Sequence, residues 1–147
     1  MHERINILIN QYNQYKLQAQ SVFMYGQEKE ASALYVLAFE TNRNILKEDA
    51  SIEAINRTLE ICLDCLDFCI CNEERNSAYY LNATGDMFSF IIEGSHSNSV
   101  KQDALIAYSE ISLIAKSLEH CFGSSEYLQS QFKNLCYKNE SLLSKMC

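Results

Sequence analysis

Apolar residues recur along this chain every three to four positions, the spacing of one face of an α-helix, and the pattern divides the sequence into six predicted helical segments. The first covers roughly Glu3 to Tyr25 and stops near Gly26, a residue at ease in the left-handed conformation that closes many helices. The second, Glu28 to Leu46, sets Ala31, Leu34, Tyr35, Ala38, Phe39 and Ile45 on one face, with Asn42 as a polar exception. The third, Ile52 to Cys71, has Ser51 as its predicted N-cap and Glu53 in its first turn. Glu60, Asp64 and Asp67 form a polar stripe at i, i+4 and i+7, and nearly everything else from Ile61 to Cys71 is apolar. Such a helix is expected to be buried around most of its circumference.

The fourth segment runs from about Glu74 to Glu93, with Gly94 following its end. The fifth is predicted to begin after Ser99, because Ser99-Val100-Lys101-Gln102 has the form of a capping box. Its apolar stripe is Ala104, Ala107, Tyr108, Ile111, Ile114, Ala115 and Leu118, and Gly123 closes it. The sixth starts after Ser124 or Ser125 and carries Leu128, Phe132, Cys136, Asn139 and Leu142 or Leu143. Short connections between rods of this length predict an all-α fold, an antiparallel array of about six helices within one domain spanning residues 1–147.

Composition sharpens that picture. The chain has no proline and four glycines among 147 residues, which disfavours strands and hairpins. Apolar residues are 48% and charged residues 21%, a globular balance. Net charge is −7, and lysine and arginine are scattered singly, so neither a nucleic-acid surface nor a polybasic membrane anchor is expected. No apolar run is long enough to span a bilayer, and Met-His-Glu-Arg lacks the apolar core of a signal peptide. The expected location is cytoplasmic, with the seven cysteines reduced. The glycosylation patterns at Asn56, Asn82 and Asn139 are read as chance in that setting.

Cys62-Leu63-Asp64-Cys65, followed by Cys69 and Cys71, has the spacing of a thiol site that His120 and Cys121 could complete in space. Cys62, Cys65 and Cys69 also fall at i, i+3 and i+7 on one helical face, where free cysteine packs as a small hydrophobe. The core reading is preferred, and no metal or cofactor is expected. Catalysis needs a nucleophile beside a base. Of the three histidines, His96 lies in a polar serine-rich loop, and neither Glu73-Glu74 nor the Asp64/Asp67 pair belongs to a Glu-x-x-His pattern. The chain is therefore not expected to be an enzyme. Tyr79, Tyr80, Phe88 and Phe90 are read as core aromatics.

The stretch Ala78-Tyr79-Tyr80-Leu81-Asn82-Ala83-Thr84-Gly85-Asp86-Met87-Phe88-Ser89-Phe90 resembles the 14-3-3 family, which carries phenylalanine-tyrosine-leucine, glycine-aspartate, two tyrosines and an arginine-tyrosine pair in one helix. Ala107 to Ala115 is similar to the family's next helix, and Leu59-Glu60-Ile61-Cys62 to the preceding one. The good match covers about residues 59–118, and Leu128 to Phe132 is weakly similar to the helix that holds a groove asparagine, with Gln131 near that position. The resemblance implies a shortened, divergent member that acts as an adaptor, binding proteins or peptides in a groove. Family members grip phosphoserine or phosphothreonine with arginine, lysine and tyrosine, since a dianionic phosphate prefers guanidinium donors.

Here the arginine-tyrosine positions are Ser89 and Phe90, and a lysine position is Asn82. Loss of a desolvated charge contact costs about 2–5 kcal/mol, so phosphate is expected to contribute little. Arg43 and Lys47 are candidates to compensate, against the simpler reading of solvated charges. The implied groove positions are thus Asn82, Ser89, Phe90 and Gln131. Three alternatives stand beside the adaptor: a small oligomerising helical bundle, a tetratricopeptide-like interaction module without a peptide groove, and a thiol module built on Cys62, Cys65 and Cys121.

Overall fold

The structure, a computed structural model, describes residues 2–72 and 75–121. They form five helices: α1 (His2–Met24), α2 (Glu28–Glu48), α3 (Ile52–Asn72), α4 (Arg75–Glu93) and α5 (Asn98–Cys121). Among the described residues there is no strand, so the expected all-α class is observed. The first five predicted segments begin within about two residues of these helices, the usual uncertainty of a helix end. The sixth predicted segment, with Gly123, Gln131 and Asn139, lies outside the described residues. The chain divides into two compact units, Met1–Glu74 and Arg75–Cys147.

In the first unit, α2 packs against both α1 and α3. Residue pairs give the directions. Asn42 meets Thr58 and Tyr35 meets Cys65, so α2 and α3 run antiparallel in one register. Arg4 Nε lies 2.9 Å from Glu48 Oε1, which joins the start of α1 to the end of α2. Tyr12 meets Arg57, Lys16 meets Glu60 and Phe23 meets Phe68, so α1 and α3 run parallel, on an up-down-up path. Side chains from all three helices close the core. The Phe23 and Phe68 rings are 5.2 Å apart edge to face, and Tyr35 lies 5.2 Å from Phe68.

The turn between α1 and α2 shows why Gly26 stands there. Its φ is 78°, the Gly26 N–H donates to Phe23 O and the Gln27 N–H donates to Val22 O, each at 3.0 Å. This pair of bonds satisfies two orphan carbonyls of the last turn and requires a left-handed residue between them. At the start of α3 the expected cap is found, the Ala54 N–H donating to Ser51 Oγ at 3.2 Å.

The cap of α5 differs from expectation. Its N-cap is Ser97, whose Oγ accepts from the Val100 N–H at 3.3 Å and whose carbonyl accepts from Lys101 N–H at 3.0 Å. Ser99 is already inside the first turn, so the capping box read at Ser99 to Gln102 is not the one used. Both serines have the required hydroxyl, and the earlier one is used. Gly94 itself is held by a close approach, because a Cβ there would sit 2.9 Å from Phe90 O.

Of two polar features in the first unit, one follows the pattern and one departs from it. Asn42, the polar exception on α2, is fully buried, and its Nδ2 donates to Thr58 Oγ1 at 2.8 Å, while the Thr58 hydroxyl donates to Ala54 O at 2.7 Å. On α3 the outward strip is Asn56, Glu60, Leu63 and Asp67, with Leu63 exposed and Asp64 half-buried. Asp64 turns off the predicted stripe because α1 supplies a cation on that side.

In the second unit α4 and α5 pack together. Ala104, Ala107, Tyr108, Ile111, Ala115 and Leu118 of α5 are buried as the sequence pattern predicts, and Ile114 is half-buried. Among the described residues no helix is long and apolar enough to cross a membrane.

The Asn42–Thr58 bond generates a test. Thr58→Val leaves the buried Asn42 amide without its acceptor and is expected to cost about 1–3 kcal/mol. The double change Asn42→Leu with Thr58→Val removes both polar groups and is expected to recover most of that loss. Urea unfolding of wild type, both single variants and the double variant measures the coupling; additive effects would show that the bond has no special part in joining α2 to α3.

Candidate functional site

The sequence directs attention to α4, and the burial pattern of that helix is unusual. Ser77, Ala78, Tyr80, Leu81, Ala83, Thr84, Gly85, Phe88, Ser89, Ile91 and Ile92 are all buried. One strip remains outside. It comprises Tyr79, Asp86, Phe90 and Glu93, exposed, with Asn82 half-buried at its margin. Positions 79, 82, 86, 90 and 93 follow the i, i+3, i+4 spacing of one helical face. Phe90 is 75% exposed, which contradicts its reading as a core aromatic, and Tyr79 at 48% does so in part. Tyr80 and Phe88 are buried as expected. The reason is rotational. Each residue turns about 100° from the last, so a run of four aromatics cannot share one side.

The same rotation separates the groove candidates. Ser89 is 4% exposed and faces inward, whereas its neighbour Phe90 faces solvent. Asn82 and Phe90 lie on the outward strip, and Ser89 does not. Gln131 is outside the described residues. Asp86 and Glu93 were not singled out as site residues, although the Gly85-Asp86 pair marks the position of the first and the four-residue step from Asp86 to Phe90 places both on one face. From Ser77 to Val100 the chain contains no lysine or arginine, and Asp86 and Glu93 are the only acidic residues there.

Arg43 and Lys47 belong to α2, in the other unit. They share a face one turn apart. The Arg43 guanidinium is already engaged, with Nη1 3.5 Å from Glu40 Oε2 and its carbon 5.6 Å from the centre of the Phe39 ring. Lys47 is exposed in the last turn of α2, where a cation complements the helix dipole.

A second constellation was not anticipated. Lys16 of α1 reaches α3, where its ammonium pairs with Glu60 and lies 3.5 Å from Asp64 Oδ2. Tyr12, one turn earlier, is 2% exposed, with the Arg57 guanidinium 6.0 Å from its ring centre. Burial drives the Tyr12 hydroxyl well above the ordinary phenol range, and the nearby Glu60 and Asp64 carboxylates add to the effect. Burial, then the Asp64 carboxylate, pushes Tyr35 up to about 12. Asp64 is raised from its ordinary value, chiefly by burial, with Lys16 opposing. Both tyrosines therefore stay neutral across the physiological range and serve as packing groups. The only advance signal was a lone lysine in the middle of a glutamine- and asparagine-rich helix.

Cys62, Cys65 and Cys69 are buried, as the core reading holds, and Cys65 Sγ lies 3.9 Å from Tyr35 O. Among the described residues no group of three or more His, Cys, Asp or Glu is arranged to hold a metal ion. The side chains of His120 and Cys121 are outside that description. His96 is half-buried in the turn between α4 and α5, where its ring would crowd any side chain placed at Gly94. No family model matches this chain, nor does any curated protein or solved structure.

The Lys16 cluster predicts an inverted pH response. The Asp64 carboxyl is raised on folding, so the folded state binds its proton more readily than the unfolded one. Its contribution therefore improves as pH falls from neutral through the raised value toward about 4, the ordinary aspartate range. Asp64→Asn, which mimics the protonated form, is expected to equal or exceed wild type at neutral pH, by up to about 1 kcal/mol, with the gap closing on acidification. Lys16→Met is expected to cost about 1–2 kcal/mol at neutral pH and less in acid, because it removes the cation from a partly buried carboxylate. Thermal melts across about pH 4–8 check both slopes; a gap between Asp64→Asn and wild type that widens in acid would reverse the assignment.

Proposed function

We propose that this chain is a helical protein-binding scaffold, an adaptor of the 14-3-3-like kind working in the cytoplasm, and that it docks a segment of another protein without chemical turnover. The observation that carries the reading is Phe90: a large aromatic, 75% exposed, on a helix otherwise buried around most of its circumference. Exposing such a ring forgoes about 2 kcal/mol of burial in the free protein, which a docked partner recovers. The likeness of residues 78–90 to the family's groove helix points to the same face.

Phosphate is not the main handle in this reading. Asn82 offers a neutral amide, Ser89 is turned inward and Phe90 has no hydrogen-bonding group. Fluorescence anisotropy with two degenerate serine-centred peptide pools, one phosphorylated and one plain, tests the proposal. Binding of both pools within about threefold of each other is expected, since a lost phosphate contact leaves less than about 1 kcal/mol to distinguish them. A preference above about tenfold for the phosphorylated pool would restore phosphate as the handle, and no binding of either would remove the adaptor reading.

A second reading, an oligomerising bundle, is favoured by α5, where Ile106 and Leu113 are 59% and 66% exposed and lie seven residues apart on one face. Exposed apolar side chains sharing one face favour association. Sedimentation over a range of concentrations is expected to show self-association that the double change Ile106→Glu with Leu113→Glu abolishes; a monomer at all concentrations rejects this reading.

A further inference from the structure

From Ile5 to Gln27 the chain contains one charged residue, Lys16, and its ammonium is turned into α3 against Glu60 and Asp64. The outward face of α1 is therefore uncharged for about five turns, whereas the exposed faces of α2, α3, α4 and α5 all bear carboxylates. Ile7, Asn10, Gln14, Leu17, Ser21 and Met24 follow one another in alternating steps of three and four residues, the spacing of a coiled-coil seam, and all six are exposed. Met24 and its neighbour Tyr25, at 84% and 82%, are the most exposed large apolar side chains among the described residues.

We propose that two copies of this chain pair through that face, α1 against α1 across a two-fold axis, with the seam residues in contact. The surface is distinct from the α4 strip of the adaptor reading. Self-complementarity selects a second copy as the occupant, because a two-fold interface sets one patch against itself. A charged patch fails that requirement by meeting its own sign. An amide meets it, since each carries both a donor and an acceptor. In a parallel, in-register pair Ile7, Leu17 and Met24 each bury against their own copies, and Asn10 and Gln14 bond amide to amide, a polar pairing that fixes register. With a net charge of −7 on each copy, carboxylates brought together oppose association, and of the described helices α1 presents the face where that cost is least. The helix has 23 residues and is about 34 Å long. A strip of that length and about 10 Å wide on each copy, roughened by side chains, buries on the order of 1,000 Å² in all, the lower end of specific interfaces, so the dimer is a reversible one.

Sedimentation velocity of the full chain over about a hundredfold range of concentration is expected to show a monomer–dimer equilibrium. Leu17→Glu with Met24→Glu, and separately Leu17→Lys with Met24→Lys, are each expected to weaken it about tenfold or more. Mixing these two variants in equal amounts is expected to restore a dimer, because opposite charges then face one another across the axis. That recovery separates loss of pairing from loss of fold, and circular dichroism melts confirm that each variant is helical. Ile52→Glu with Leu63→Glu on α3 makes the same kind of change at exposed apolar positions and is expected to leave the dimer intact, as is Ile106→Glu with Leu113→Glu on α5. A chain that is monomeric throughout, α1 variants that dimerise as well as wild type, or a mixture that stays monomeric overturns the proposal. Association abolished by the α5 change and kept in the α1 variants overturns it in favour of the α5 surface. Peptide binding at α4 is read in a separate assay, so the adaptor reading and this one fail independently.

Discussion

The first unit depends on the register between α2 and α3, set by the buried hydrogen bond from Asn42 to Thr58. Apolar packing alone tolerates a slide of one turn, because alanine, isoleucine and cysteine faces repeat with the same spacing. A buried amide does not tolerate it, since a slide leaves the amide without its partner in a low-dielectric interior. Once Asn42 sits opposite Thr58, Tyr35 falls beside Cys65 and Phe68, and α3 presents Arg57, Glu60, Asp64 and Phe68 at the heights where α1 offers Tyr12, Lys16 and Phe23. Three interactions across α1 and α3 thus follow from one across α2 and α3.

That arrangement explains how so polar a helix as α1 is held. It buries Tyr12 and Ala19, while Ile7, Leu17 and Met24 remain exposed, so its apolar contribution is small. Its backbone lies closest to α2, and Phe23, Tyr12 and Lys16 reach across to α3 through an aromatic contact, a cation over a ring and ion pairs. Partly buried ion pairs add little net stability, because desolvation offsets attraction, but they penalise misplacement strongly. Asp64 shows that balance: its carboxyl is raised by burial despite the neighbouring ammonium. The cluster specifies where α1 docks more than it strengthens the docking.

Periodicity made the helices legible, since an amphipathic face is a local property written every three to four residues. The buried stripe of α5, the cysteine face of α3 and the stop at Gly26 all followed from it. Asn42 fell on the apolar face by spacing and is buried there, opposite Thr58. What periodicity misread were positions decided by a neighbour. Asp64 belonged to a solvent stripe by spacing and is drawn inward by Lys16, which is distant in sequence. On α4 the aromatic run read as core, yet rotation places Phe90 outside and Ser89 inside. The resemblance drew attention to α4, and the burial of successive residues distinguishes the accessible members of that motif from the rest.

The chemistry of α4 follows from what that helix lacks. In a groove built for phosphate, carboxylates near the ligand are tolerable because arginine and lysine outnumber them locally. On the proposed likeness, Asn82, Ser89 and Phe90 stand where such a groove would place its cations and tyrosine, and none of the three carries a charge. Complementary charge steers encounter and suppresses wrong partners. An aromatic ring is compatible with either sign of partner through its apolar area, but its face is electronegative and favours a cation. The exposed ring of Phe90 therefore gives α4 an apolar contact that does not depend on the charges a phosphate groove needs.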